Sequence, residues 1–259
     1  KYQHTRNLLM KTNPTLKNMS ISKSVMLNVV LFAIMTLMFS SCKKKNDDEN
    51  IINLNLSFAV DGSKLEFNSI KYVNAAANNY SVSKLHFYIS AFEFENTDGS
   101  KFTFDSIFYV DAAIQTPSFA LEGLPVGNYK SLRFLIGLDS LHNISHALPN
   151  TIDNENMSWP DMMGGGYHFM KLEGNFMDGG NPTGYAMHLG NNVHVVQVNI
   201  QKNFKVSDGS AALNLEMNIN EWFSNPHNYN FNIDGNYSMS DSVAMSKLAL
   251  NGSDVFNIR

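Results

Sequence analysis

Ile52, Leu54, Leu56, Phe58 and Val60 alternate with Asn53, Asn55, Ser57 and Ala59, and the same period of two returns at Leu213, Leu215, Met217 and Ile219. Alternation of this kind sets one row of side chains against a core and the other against water, which makes half-buried strands. Less regular runs of the same type occupy about 82–95, 101–110, 118–122, 129–137, 166–176, 184–189 and 193–204. In the first of these the apolar phase switches between Leu85/Phe87/Ile89 and Phe92/Phe94, predicting a bulge near Ser90-Ala91. Asp61-Gly62, Asp98-Gly99, Val126-Gly127-Asn128 and Asp208-Gly209 supply turns. Many short strands without alternating helices predict an all-β fold, an antiparallel sandwich with Greek-key connections. Helical spacing is confined to Ser240–Leu250, with Val243, Met245, Leu248 and Ala249 on one side and Asn251-Gly252 as the stop. Asp139–Gly166 fits neither period. It is rich in Asn, Met, Gly and Pro, carries His142, His146 and Trp159, and reads as one long irregular loop, a length that usually signals function or disorder.

The first 41 residues have a different character. They hold five basic residues and no acidic one, then the apolar run Val25–Phe39, then Ser40-Ser41 and the single cysteine of the chain, Cys42. A run of about 15 apolar residues is short for a spanning helix and suits the core of a signal peptide. The small residues before Cys42 resemble a bacterial lipobox, so the expectation is a signal peptide over 1–41, lipidation of Cys42, a solvated tether over 42–50 and a sandwich domain over 51–259. That places the protein in a bacterial cell envelope as a lipoprotein held on a membrane, with the outer membrane, at its periplasmic or surface face, as the expected location. Without the leader the net charge moves from −4 to −9, which argues against nucleic acid as a partner. One cysteine excludes a disulfide framework and every multi-cysteine metal site.

Catalytic templates are absent: there is no GxSxG, no phosphate loop, and no GxGxxG after a strand. The expectation is a binding protein and not an enzyme. The strongest chemical signal is local. Six of the 14 methionines lie between Met157 and Met187, together with Trp159, His168 and His188. Thioethers and imidazoles together suit a soft ion, Cu(I) first, whereas zinc prefers thiolates or several imidazoles and calcium needs carboxylates. The competing reading makes the methionines core fillers on strands. Strict alternation would put His168 and Met170 on one face and set His188 opposite Met187; whether His168 meets His188 depends on a hairpin register that periodicity leaves open.

The segments MSWPDMMGGGYHFMKLEG (Met157–Gly174) and YAMHLG (Tyr185–Gly190) resemble the MbnP-like family of envelope copper proteins. LHFYISAFEFEN, LPVGNYKSLRFLIGLDS, EWFSNPHNYNF and LALNGSDVF extend that resemblance over most of residues 52–256. It implies a β-sandwich and a mononuclear Cu(I) held by two histidines and a kynurenine made from tryptophan. Trp159 matches the modified tryptophan and His188 the histidine of the His-x-Gly element. Pro160 and Asp161 stand where relatives can carry a histidine and a second tryptophan, so His168, with His86 or a nearby methionine such as Met157, is expected to complete the ligand set. Oxidation of Trp159 would call for a dihaem peroxidase-type maturation partner. A second class of function, a glycan- or protein-binding surface lipoprotein without metal, would use exposed aromatics such as Tyr80, Tyr109, Trp222 and Tyr229.

Overall fold

The two rows of alternating residues become the two central strands of one sheet. The computed structural model describes residues 50–114 and 116–259; the expected signal peptide, Cys42 and nearly all of the tether lie outside them. β1 (Ile51–Val60) pairs from Ile51 to Ala59 with β12 (Ser210–Asn218), Leu54 opposite Leu213 and Leu56 opposite Leu215. This ladder runs parallel. β13 (Phe256–Ile258) adds to the outer edge of β12, while β2 (Ser63–Lys64) and β7 (Ser118–Glu122) share the other edge of β1. The five strands form one layer of an all-β sandwich.

The second sheet is built on β5 (Lys84–Asn96). One edge of β5 pairs with β6 (Lys101–Asp111). The opposite edge is shared: residues 84–87 pair with β9 (His168–Asp178), and residues from Ile89 onward pair with β8 (Gly127–Ile136). The handover falls beside the expected bulge, where the register slips between Ser90 and Phe92 and Ala91 takes a φ of 53°. β11 (Val196–Val206) flanks β8, and β10 (Asn181–Gly190) forms a hairpin with β9. Two short strands, β3 (Tyr72–Val73) and β4 (Asn79–Tyr80), extend the β9 side. Phe87 packs edge-on against Phe58 at 6.1 Å between ring centroids, and Phe134 meets Phe256 at 5.3 Å, so aromatic rings join the two layers across the core.

The irregular segment leaves β8 and re-enters at β9 where β5 changes partners. It carries α1 (Ile152–Asn156), capped by the Thr151 side chain, and a single 3-10 turn at Asp161–Met163. The C-terminal helix is α2 (Ser242–Asn251), started by Asp241, whose carboxylate accepts from the amides of Val243 and Ala244. It buries Ala244, Met245, Leu248 and Asn251; Val243, expected on the inner face, points to solvent because it lies about 200° around the helix from Met245. Among the described residues no helix is long and apolar enough to cross a membrane.

Candidate metal centre

His168 and His188 come together at the mouth of the β9–β10 hairpin. His188 lies opposite Lys171, and Leu189 opposite Met170, but Gly190 pairs with His168, so Phe169 is an extra residue in β9. The extra residue reverses the side-chain phase. His168 therefore shares the face of Lys171, Glu173 and His188, and not that of Met170 as strict alternation predicts. The two imidazoles meet edge to face with centroids 5.0 Å apart, and the Trp159 indole meets His168 at 4.7 Å.

Each ring has one nitrogen committed. His168 is 5% exposed, and its Nδ1 lies 3.1 Å from the carbonyl oxygen of Met157. His188 Nε2 lies 3.0 Å from Glu173 Oε1. A carbonyl and a carboxylate only accept, so those nitrogens carry the protons, and in the neutral rings His168 Nε2 and His188 Nδ1 present lone pairs. His188 Nδ1 is buried and has no hydrogen-bond partner. Burial, the Lys171 ammonium and the neighbouring His188 hold the His168 pKa down to about 3, against the pull of the Met157 and Ser158 backbone. Near neutral pH a ligand at His168 thus displaces no proton. Glu173 is held down at about 2, chiefly by its hydrogen bond to His188 and then by Lys84, 2.9 Å away, so the carboxylate that orients His188 stays ionised.

The backbone around these rings is pinned from both sides. The amide of His188 donates to Ser238 Oγ at 2.6 Å, and that hydroxyl donates back to the His188 carbonyl at 2.7 Å, completing the outer edge of β10. Across the site, Gly166 donates to Ser145 Oγ, Tyr167 donates to Asn143 Oδ1, and Ser145 donates to Asp161, tying the two halves of the irregular segment together. Trp159 is 2% exposed and donates from Nε1 to the Met163 carbonyl at 3.1 Å. Its ring lies on Gly190, where a Cβ would stand 2.3 Å from the indole. That contact explains the glycine of His188-Leu189-Gly190. Gly190→Ala is expected to expel the indole, alter the near-ultraviolet circular dichroism, and cost about 1–3 kcal/mol in denaturant unfolding.

The methionines separate. Met157, Met170 and Met187 are buried in the hydrophobic core, Met163 packs against it, and Met162 is 93% exposed. Met187 opposes Leu172 and Met170 opposes Leu189, so the hairpin sends these two thioethers to the face away from His188. Met157 reaches the site through its carbonyl. His86 stands across β9, in line with Lys171 and beyond it from His188, and its Nε2 faces Asp111 at 3.5 Å. The aromatics expected on the surface are largely inside: Tyr80, Trp222 and Tyr229 are fully buried and Tyr109 is half-buried. Tyr80 and Tyr229 belong to a buried cluster of rings with Phe223 and Phe231. Periodicity alone does not single out Glu173; the signal is its two-residue spacing from Lys171 once the hairpin register is known. Asp105, Asp139 and His142 form a second group with ligand atoms within 4.8 Å, but Asp139 Oδ1 already accepts from the amides of Leu141 and His142 and from the His142 ring.

A search of curated protein sequences finds no match. The solved structure of MbnP from Methylosinus trichosporium is similar in fold, with a TM-score of 0.51 over 81% of this chain and 98% of that one, at 13% identity. The MbnP family model matches residues 49–244, a span that contains Trp159, His168, Glu173 and His188; the chain belongs to the MbnP family.

Proposed function

We propose that this protein binds Cu(I) between His168 and His188 in a bacterial envelope, for copper acquisition, storage or hand-off, and catalyses no reaction. The observation that carries the reading is the bare Nδ1 of His188. A buried polar atom without a partner is rare, and one whose opposite ring nitrogen is held by a carboxylate has the arrangement of a metal-ligating histidine. The donor set favours copper in its monovalent form. Two imidazoles are offered without a thiolate, and Glu173 is occupied by His188 and Lys84, so an ion content with few ligands is the better match. Glu173→Gln is expected to weaken Cu(I) binding about 10- to 100-fold in a chelator competition titration, because the carboxylate that orients the ring and raises its basicity is gone.

Membership of the MbnP family and the character of the first 41 residues support a location outside the cytoplasm with Cys42 as the lipid attachment. Trp159 is the residue we propose for conversion to kynurenine by a dihaem peroxidase-type partner. It touches His168 on one side and on the other walls a cleft of about 220 Å³ shared with His146 and Asp161. Metal analysis of protein purified from its native envelope tests the reading. Copper near one ion per chain is expected; copper absent under copper-replete growth would overturn it. Mass spectrometry of the Trp159 peptide tests the modification separately.

A further inference from the structure

We infer that Lys171 is a charge filter at this site, setting its preference for a monovalent ion over divalent ones; the inference rests on the copper reading above. Lys171 lies directly opposite His188 on β10 and opposite His86 on β5, so one row of side chains crosses three strands with the ammonium in the middle. Its Nζ donates to the carbonyl of Asn156, the last residue of α1 and the neighbour of Met157, whose own carbonyl holds His168. The ammonium is thereby fixed to the segment that positions His168.

What sets Lys171 apart is the absence of a carboxylate in contact with it. Among the described residues it forms no ion pair. The nearby acids are committed elsewhere: Glu173 to Lys84 at 2.9 Å and to His188 at 3.0 Å, and Asp111 to His86 at 3.5 Å. Lys171 is half-buried, and its ammonium is disfavoured by burial first and by Lys84 second, with the Glu173 carboxylate pulling the other way from a distance. A half-buried, unpaired cation carries a cost that the fold has no evident need to bear, since a glutamine could also donate to the Asn156 carbonyl. Beside a metal site the same charge has a use. Its repulsion scales with the charge of the incoming ion, so a divalent ion meets twice the penalty of Cu(I).

The test compares the full-length wild type with Lys171→Gln, which keeps a donor and removes the charge, and Lys171→Arg, which keeps the charge. Lys171→Met serves as a second neutral variant should glutamine disturb folding. Each is titrated with Cu(I) against a competing chelator and, separately, with Zn(II). The Zn(II):Cu(I) affinity ratio is expected to rise about tenfold or more in the neutral variants, the size of an added unit charge in a partly buried site, and to stay within about twofold of wild type in Lys171→Arg. A purely structural role would lower both affinities together and leave the ratio unmoved; that result, or an arginine variant behaving like the neutral ones, overturns the filter. Wild-type protein that holds neither ion would overturn the copper reading along with it, whereas Cu(I) bound with an unaltered ratio overturns the filter alone.

Discussion

Alanine at either His168 or His188 is expected to lower Cu(I) affinity by more than about a hundredfold, beyond the loss that follows removal of a supporting carboxylate. Only two ring nitrogens are offered by this site, His168 Nε2 and His188 Nδ1, and a lone imidazole holds the ion without a chelate partner. The variants should remain folded, because His188 is pinned through its backbone to Ser238, and His168 donates its amide as well as its ring to the Met157 carbonyl. Competition against a chromogenic chelator measures the affinity and thermal unfolding reports the fold. Wild-type affinity in the double variant would place the copper somewhere other than this hairpin.

The largest effect on stability is expected at Gly174, in the middle of β9. A Cβ there would stand 1.9 Å from the carbonyl oxygen and 2.8 Å from the carbonyl carbon of Ser81. Neither atom is free to retreat. The Ser81 amide donates to the Asn175 carbonyl at 2.7 Å, and the buried Tyr185 hydroxyl donates to the Ser81 carbonyl at 2.9 Å. Relief requires separating the chain around β4 from β9, the strand that also carries His168 and Glu173. Gly174→Ala should therefore cost about 3 kcal/mol or more, at or above the upper end of overpacking losses, and lower Tm by roughly 6–12 °C for a domain of this size. Gly184→Ala in the neighbouring strand is the control. Its Cβ would meet nothing closer than the Tyr237 hydroxyl at 3.6 Å, and its effect should stay within about 1 kcal/mol.

Much of this architecture is legible from periodicity because a strand with one wet face writes its burial directly into its sequence. β1 and β12 are read almost residue by residue, and the switch of phase after Ile89 locates the bulge at Ala91. Pairing is another matter. That β1 and β12 run parallel depends on contacts about 160 positions apart, for which alternation carries no information. The short strands β2, β3, β4 and β13 are too brief to show a period.

The candidate site divides in the same way. Trp159, His168 and His188 stand out as residue types and through the family resemblance, and the fold brings their rings into contact. The thioethers suggested by the same cluster do not join them on the histidine face, since Met170 and Met187 are core residues of the hairpin. Tyr80, Trp222 and Tyr229 illustrate the complementary error: aromatics in Asn-rich surroundings look like surface binders, yet each is buried with its polar atom bonded, Tyr80 to Asn220, Trp222 to the Met217 sulfur and Tyr229 to the carbonyls of Asp234 and Gly235. Glu173 and Lys171, which set the electrostatics of the site, become visible only when the register places one beside His188 and the other across from it. The single extra residue Phe169 decides the whole arrangement, and a bulge of that kind leaves no mark where apolar residues follow one another, as at Phe169-Met170.

Nitrogen NMR of the histidine side chains, recorded before and after one equivalent of Cu(I), tests the account most directly. It predicts that His188 Nδ1 and His168 Nε2 shift from the unprotonated to the metal-bound position while His188 Nε2 stays protonated toward Glu173. Unchanged ring nitrogens at His168 and His188 in copper-loaded protein would contradict it.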